Sequence, residues 1–292
     1  MKHAISLILI LCLLLCGCSS ATEPAQVAAT TLPVYSFASR LCEGTGLTVT
    51  RLVTEEVSCL HDYSLNVSQV KAAEAAELVV VSGAGLEAFL DDLLLSRETI
   101  DSSQGISLIC PEEAHHEHDH GSEGHHHEQD PHIWLSPANA RIMVANIWEG
   151  LCRHYPAQKD LFTENLQHLL VELDTLEAYG KDVLQDLSCR DMITFHDGFA
   201  YFAQAFDLQI LEAVEEESGS EASAKELIHL IQEVEHHNLP AIFTEKSGSV
   251  SAAGIIARET GCRSFALDMA MSGNDYFESM YHNIDTIKEA LG

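Results

Sequence analysis

The stretch FTENLQHLLVELDTLEAYGKDVLQDL, residues 162–187, decides the architecture. Its leucines and other apolar residues recur at helical spacing, so one face stays apolar for about seven turns. Gly180 interrupts the pattern, at a cost of about 1 kcal/mol relative to alanine. Since no strand-like run occurs inside it, the stretch predicts one long helix that separates two regions of the chain.

Short apolar runs lie on both sides of this helix. They read LTVTRLVT (47–54), ELVVVSG (77–83) and ISLIC (106–110) before it, and DMITF (191–195), PAIFT (240–244) and CRSFAL (262–267) after it. Runs of this kind are typical of strands buried on both faces of a parallel sheet. A further strand at AATTLPVYSF (28–37), and another in the second region, would raise the number of strands on each side above three.

The predicted fold class is therefore α/β with two lobes. Each lobe is a small parallel β-sheet with flanking helices, and one long rigid helix joins them. We place the N-terminal lobe at residues 29–155, the linking helix at 156–188 and the C-terminal lobe at 189–292.

The charge of the chain limits its partners. Its 292 residues include 15 Lys and Arg against 45 Asp and Glu, a formal net charge of −30. Nucleic acid is excluded as a partner, because phosphate binding needs a basic surface. An acidic surface attracts cations, although acidity alone is weak evidence for a metal.

The N-terminus predicts export. Residues 5–15 are apolar apart from Ser6 but too short to span a bilayer, and the run ends in LLLCGCSS, which resembles a bacterial lipobox. We interpret residues 1–17 as a lipoprotein signal peptide, and residues 18–28 as the acylated Cys18 with a flexible tether. An ordinary cleaved signal is the alternative. The expected location is the outer face of the cytoplasmic membrane or the periplasm.

Six further cysteines leave their redox state open: Cys42, Cys59, Cys110, Cys152, Cys189 and Cys262. Export permits disulfides, but six cysteines allow about 15 complete pairings. Free thiols are equally compatible with the sequence. No CxxC occurs, which argues against a cysteine zinc site.

Polar side chains follow the predicted strands at the edge where parallel sheets bind ligands. His61 follows the first run, His132 follows ISLIC once an insertion is removed, and His196 follows DMITF directly. Glu245 and Asp268 directly follow two later strands. Imidazoles with a carboxylate form a ligand set for a divalent transition metal, zinc above all.

The two carboxylates also have other interpretations. Glu245 could cap the following helix, or hold a ligating histidine in its tautomer without touching the metal. Asp268 could cap a turn. Both alternatives stay open at this point.

A polar insertion, residues 112–129, holds the most conspicuous histidines of the chain. It contains no apolar residue larger than alanine, so we expect a mobile surface segment. We expect it to bind several zinc ions weakly, and either to pass them on or to sense excess; an inert solvated loop is the alternative. Its histidines are His115, His116, His118, His120, His125, His126 and His127.

Several blocks together carry a family resemblance. They include HDYSLNVSQVKAAEAAELVVVSGAGLEAFL, DPHIWLSPANARIMVANI, ITFHDGFAYFAQAF and IFTEKSGSVSAAGIIARETGCRSFALD. In this order they resemble the metal-binding solute-binding lipoproteins of bacterial ABC importers, and more narrowly the zinc-specific ones. The resemblance runs from about residue 30 to the C-terminus. It implies two α/β lobes with a metal in the cleft between them.

The resemblance also implies a ligand set. His61, His132 and His196 match histidines that bind the metal, and Asp268 matches a carboxylate ligand of many members. His196 favours zinc, because manganese-type members commonly carry Glu there. The proline that usually follows the aspartate is missing in ALDMAMSG, so water could take the fourth position instead of Asp268.

The implied function is capture of Zn²⁺ outside the cytoplasm and its delivery to an ABC permease and its ATPase. We expect a lipid-anchored monomer that is not an enzyme. The alternatives are a manganese- or iron-binding member, a zinc-dependent hydrolase with Glu245 as base, and a surface lipoprotein that binds metal incidentally. No HExxH signature supports the hydrolase.

Overall fold

The computed structural model describes residues 25–55, 57, 60, 63–110, 129–214, 223–246, 248 and 250–292. The predicted signal peptide, Cys18, His61 and the seven histidines of the predicted insertion lie outside these residues. Among the helices that are described, none combines the length and the apolar character needed to cross a membrane.

The described chain contains two parallel four-stranded sheets. The first is built from β1 (Val27–Ala29), β2 (Val49–Arg51), β3 (Leu78–Val81) and β4 (Thr99–Asp101), and the second from β5 (Asp191–Thr194), β6 (Gln209–Ala213), β7 (Ala241–Glu245) and β8 (Arg263–Leu267). Their strand orders are β2-β1-β3-β4 and β6-β5-β7-β8, which is the same winding in each lobe. The two-lobed α/β fold predicted from the sequence is confirmed.

Helices connect and cover the strands. Those of the first half are α1 (Leu32–Leu41), α2 (Val67–Ala75), α3 (Asp91–Leu94) and α4 (Pro137–His154). The later ones are α5 (Lys159–Val183), α6 (Ala200–Ala205), α7 (Ala224–His237), α8 (Ser251–Thr260) and α9 (Tyr276–Leu291). The first strand begins at Val27, so the last two residues of the predicted tether lie in the sheet.

The long helix predicted between the lobes is α5, which has 25 residues. It buries its apolar face against α1, α4 and α9. Gly180 lies where this helix passes the ring of Phe206, and a Cβ there would come within 2.2 Å of Cε1 of that ring. The glycine that lowers helix propensity is therefore needed for the close approach of the second lobe.

The two lobes share one hydrophobic core. Trp134 of the first lobe is fully buried, and its Nε1 donates to the carbonyl of Met269 in the second lobe at 2.8 Å. The hydroxyl of Tyr276, at the start of α9, donates back to the carbonyl of Trp134 at 2.8 Å. Arg40 on α1 pairs with Asp275, which caps α9, at 2.7 Å. These contacts fix the lobes relative to each other.

Two strand predictions need correction. Residues 106–110 are not a strand, and the fourth strand of the first sheet is β4 instead. The backbone of Ile109 bonds to the hydroxyl of Tyr201 and to the amide of Asp130, so it is used between the lobes rather than in a sheet. The run 28–37 is strand only to Ala29, because α1 begins at Leu32, with Pro33 in its first turn.

The cysteines within the described residues are free thiols. Cys42 is buried, Cys110 is exposed, and Cys152, Cys189 and Cys262 are partly buried. Burial raises the pKa of Cys42 to about 12, so this thiol stays protonated at neutral pH.

A buried carboxyl ties the ends of two neighbouring strands of the first sheet. Glu87 accepts from the hydroxyl of Thr30, after β1, at 2.6 Å, and from the amides of Ser82 and Gly83, after β3, at 2.7 and 3.0 Å. Burial raises the pKa of Glu87 to about 7, against these hydrogen bonds, which lower it.

We predict that Glu87→Gln removes part of the pH dependence of stability. The folded protein holds the Glu87 proton up to a pH of about 7, whereas the ordinary pKa is 4.5, so stability falls as the pH rises between these values. The full effect is on the order of 3 kcal/mol. Chemical denaturation should show that the free energy of unfolding falls less between pH 5 and pH 8 in the variant than in the wild type. Glu43→Gln, at an exposed position, should keep the wild-type loss; equal losses in all three proteins would contradict the prediction.

Candidate metal centre

Two predicted ligands meet across the interface between the lobes. His132 lies just before α4 in the first lobe, and His196 follows β5 in the second. Their Nε2 atoms are 3.3 Å apart, and the two rings are nearly perpendicular, at 84°. His132 is only 4% exposed. The structure therefore brings together two imidazoles that are 64 residues apart in the sequence.

His196 lies at the switch point of the second sheet. The chain leaves β5 towards β6 on one side, and β7 lies on the other side, so the carboxyl ends of β5 and β7 form a crevice. His196 follows β5, and Glu245 is the last residue of β7. The Nδ1 atom of His196 is 3.9 Å from Oε2 of Glu245, longer than a hydrogen bond. Glu245 thus lies on the Nδ1 side of the ring.

Asp130 supports His132, and the sequence reasoning missed it. Its Oδ1 accepts from the backbone amide of His132 at 2.9 Å and contacts the ring Nδ1 at 2.8 Å. A carboxylate only accepts, so this contact assigns the ring proton to Nδ1 and leaves a lone pair on Nε2. The available signal was spacing, because an Asp side chain commonly bonds the backbone two residues on.

Asp268 directly follows β8, as expected, and caps a turn. Its Oδ1 accepts from the amide of Ala270 at 2.8 Å. Its Oδ2 accepts from Ser279 at 3.1 Å and lies 3.4 Å from Nζ of Lys246. The turn-capping interpretation describes these contacts, and the ligand role of Asp268 stays a prediction.

The described residues contain only part of the expected ligand set. Among them, no three His, Cys, Asp or Glu side chains form a cluster that could hold a metal ion. The predicted third imidazole, His61, lies outside the described residues, so its ligand role also stays a prediction.

The separation of the two Nε2 atoms fits a tetrahedral metal. Two nitrogens bound at the usual zinc distance of about 2.05 Å and at the tetrahedral angle lie about 3.3 Å apart. The observed distance is 3.3 Å. A hydrogen bond between the rings has a similar length. The donor set, one buried and one partly buried imidazole, each with a carboxylate on its Nδ1 side, favours a transition metal.

Gly198 leaves the space that the ring of His196 occupies. A Cβ at this position would lie 2.7 Å from Cδ2 and 3.0 Å from Nε2 of His196. It would also lie 2.6 Å from Cε of Met269. Any larger residue must therefore displace the imidazole or the methionine.

The fold and the site define a class of protein: a two-lobed α/β protein with a rigid connecting helix that places one imidazole from each lobe at the interface. A family model described as the periplasmic component A of the zinc-uptake complex, ZnuA, matches residues 27–290. The chain belongs to this family, which confirms the resemblance.

The chain is similar to two bacterial relatives across most of its length. It is 28% identical to the zinc-binding lipoprotein AdcA of Streptococcus pneumoniae over 310 aligned positions, which cover 99% of this chain and 61% of that protein. It is 28% identical to a putative metal-binding protein of Treponema pallidum, over 79% of this chain and 76% of that protein. The chain thus spans about three fifths of AdcA.

Solved structures share the fold. A crystal structure of ZnuA superimposes with a TM-score of 0.78 at 29% identity, and covers 91% of this chain and 98% of that one. A ZnuA deletion mutant with zinc bound gives a TM-score of 0.76 at 28% identity, and covers 91% of this chain and 97% of that one.

We predict that Gly198→Ala destabilises the protein by about 1–3 kcal/mol and shifts the ring of His196, because the new Cβ overlaps it. Gly254→Ala on α8 is the control, since its Cβ would meet no atom within 4 Å. It should be neutral or stabilise by up to about 1 kcal/mol. Chemical denaturation and histidine ring NMR signals measure both effects. If the Gly198→Ala protein matches the control in stability and in its His196 signals, the predicted displacement of the His196 ring is wrong.

Proposed function

We propose that this chain is the extracytoplasmic zinc-capturing component of an ABC importer. It binds Zn²⁺ between its lobes and delivers the ion to a membrane permease driven by an ATPase. The observation that carries the proposal is the pair of Nε2 atoms, one from each lobe, 3.3 Å apart. Family membership over residues 27–290 supports the same function.

The proposed ligands are His61, His132 and His196, with Asp268 or water in the fourth position. The imidazoles of His132 and His196 already have the separation of two ligands on a tetrahedral ion. Asp268 is 5% exposed and still has lone pairs beyond the three donors it contacts. Binding through it would weaken its contact with Lys246.

Zinc is favoured over manganese by the donor atoms. Imidazole nitrogen suits zinc, whereas manganese prefers carboxylate, carbonyl and water oxygens. The relative AdcA is named a zinc-binding lipoprotein, and a related ZnuA structure has zinc bound. Both names support the same cargo here.

The position of Glu245 supports a binding protein rather than a hydrolase. A general base must reach a water on the metal, which would lie on the Nε2 side of His196. Glu245 approaches the Nδ1 side of that ring instead, at 3.9 Å. This position supports a role for Glu245 in orienting the imidazole, and it supports the proposal that the ion is cargo.

Delivery would depend on attachment to the membrane. We propose that Cys18 carries a lipid and holds a monomer at the outer face of the cytoplasmic membrane or in the periplasm. The histidines of residues 112–129 would collect zinc weakly near the site. The partners are the permease and its ATPase.

We predict one tight zinc site in a calorimetric titration of the wild-type protein. His196→Ala should weaken it at least about 100-fold, because a ligand is lost from one lobe. His168→Ala, an exposed histidine on α5, is the matched control and should bind as the wild type does. Deletion of residues 112–129 should keep the tight site. Loss of the tight site on that deletion would show that the ligand assignment is wrong.

We also predict that zinc displaces manganese in a competition titration at pH 7, because the proposed ligands are mainly nitrogen donors. The measurement is the apparent affinity for each metal in a chelator-buffered solution. Tighter binding of manganese would assign this chain to the manganese cargo instead.

A further inference from the structure

We propose that Asp130 and Tyr201 are positioning residues that hold His132 in its metal-binding orientation and tie it to the lobe that carries His196. This inference rests on the proposed function, since it concerns the same site. It assigns roles to two residues that do not themselves bind the ion.

Asp130 fixes the ring of His132 from behind. One oxygen, Oδ1, is 2.9 Å from the amide and 2.8 Å from Nδ1 of the same histidine. The ring is therefore held at its Nδ1 atom while its Nε2 atom faces His196. A carboxylate behind a ligating imidazole fixes the tautomer and increases its basicity, and losing such a partner typically costs 10–100-fold in metal affinity.

The second oxygen of Asp130 has no partner. Oδ2 is the one buried side-chain oxygen or nitrogen among the described residues that makes no hydrogen bond. An unsatisfied buried acceptor lowers stability, because it has lost its hydrogen bonds to water. The carboxylate bears this cost where it contacts His132, which supports a role at the site beyond stability.

Tyr201 holds the backbone of Asp130 from the second lobe. Its hydroxyl donates to the carbonyl of Asp130 at 3.0 Å and accepts from the amide of Ile109 at 2.9 Å. The amide of Asp130 in turn donates to the carbonyl of Ile109 at 2.9 Å. Tyr201 is 2% exposed, and it lies on α6, five residues after His196. The support of one ligand thus comes from the segment that carries the other.

Matched controls exist for both residues. Asp101 accepts through Oδ1 from the amide and hydroxyl of Ser103, at 2.9 and 2.7 Å, which is the same contact to the residue two positions on. Tyr155 donates its hydroxyl to Glu77 at 3.0 Å, at the amino end of β3, the edge opposite the site.

The experiment measures zinc affinity by competition with a chelator, and the visible spectrum of the Co²⁺-loaded protein, for each variant. Asp130→Ala should raise the dissociation constant about 10–100-fold and shift the cobalt bands. Asp130→Asn keeps an acceptor oxygen and should lose less zinc affinity than Asp130→Ala does. Tyr201→Phe removes the hydroxyl's hydrogen bonds with both Asp130 and Ile109 and should raise the constant about threefold to tenfold. Asp101→Ala and Tyr155→Phe should leave affinity and spectrum unchanged.

A metal-free measurement separates position from binding. Nitrogen-15 NMR of the apo protein should show the His132 proton on Nδ1 in the wild type, and this single tautomer should be lost in Asp130→Ala. Circular dichroism checks that each variant folds. Asp130→Asn and Tyr201→Phe decide the matter if Asp130→Ala does not fold.

The possible failures are distinct. A wild-type protein that does not bind zinc tightly would overturn the proposed function and this inference with it. A wild-type protein that binds zinc through His196, while the Asp130 and Tyr201 variants match their controls, would overturn only the positioning roles.

Discussion

The Nε2 atoms of His132 and His196 are 3.3 Å apart only while the two lobes keep one fixed position relative to each other. Three kinds of contact hold it: the shared hydrophobic core along α5, the paired hydrogen bonds around Trp134, and the ion pair between Arg40 and Asp275. A metal–nitrogen bond is about 2 Å long. A shift of about 1 Å between the lobes would therefore move one of the proposed ligands by half of that length. The interface is thus part of the site.

This fixed position has a consequence for how the protein would work. The two imidazoles already have the separation of two zinc ligands, so metal binding at the proposed site would need only small movements of the lobes. The binding energy would then stabilise the interface between the lobes rather than close a wide cleft. On the proposed function, a permease that pulls the lobes slightly apart would separate the proposed ligands and release the ion.

Charge is arranged behind the ligands as well as over the whole surface. The chain has a formal net charge of −30, but two buried carboxylates matter most at the site. Asp130 lies behind His132, and Glu245 lies on the corresponding side of His196. Negative charge at low dielectric favours a cation between the rings. The unpaired Oδ2 of Asp130 shows that this arrangement has a stability cost.

The sequence predicts what depends on local pattern. The long helix follows from one apolar face, and the strands β2, β3, β5, β7 and β8 follow from short apolar runs. The run 106–110 misled, because Ile106, Leu108 and Ile109 pack against the core, but the backbone of Ile109 bonds to Tyr201 and Asp130 rather than to a strand. The contact between His132 and His196 depends on how the two lobes are positioned relative to each other. No local sequence pattern encodes that position, so only the family resemblance could pair these two histidines. The spacing of Asp130 and His132 predicts the backbone contact between them, but the contact with the ring appears only once the direction of the ring is known.

Anomalous diffraction at the zinc edge from crystals of the zinc-loaded protein tests whether the ion binds between the lobes. We expect one strong peak there, about 2.0–2.1 Å from Nε2 of both His132 and His196. A strong peak elsewhere, with neither nitrogen within bonding distance of it, would show that these two imidazoles are not the zinc ligands.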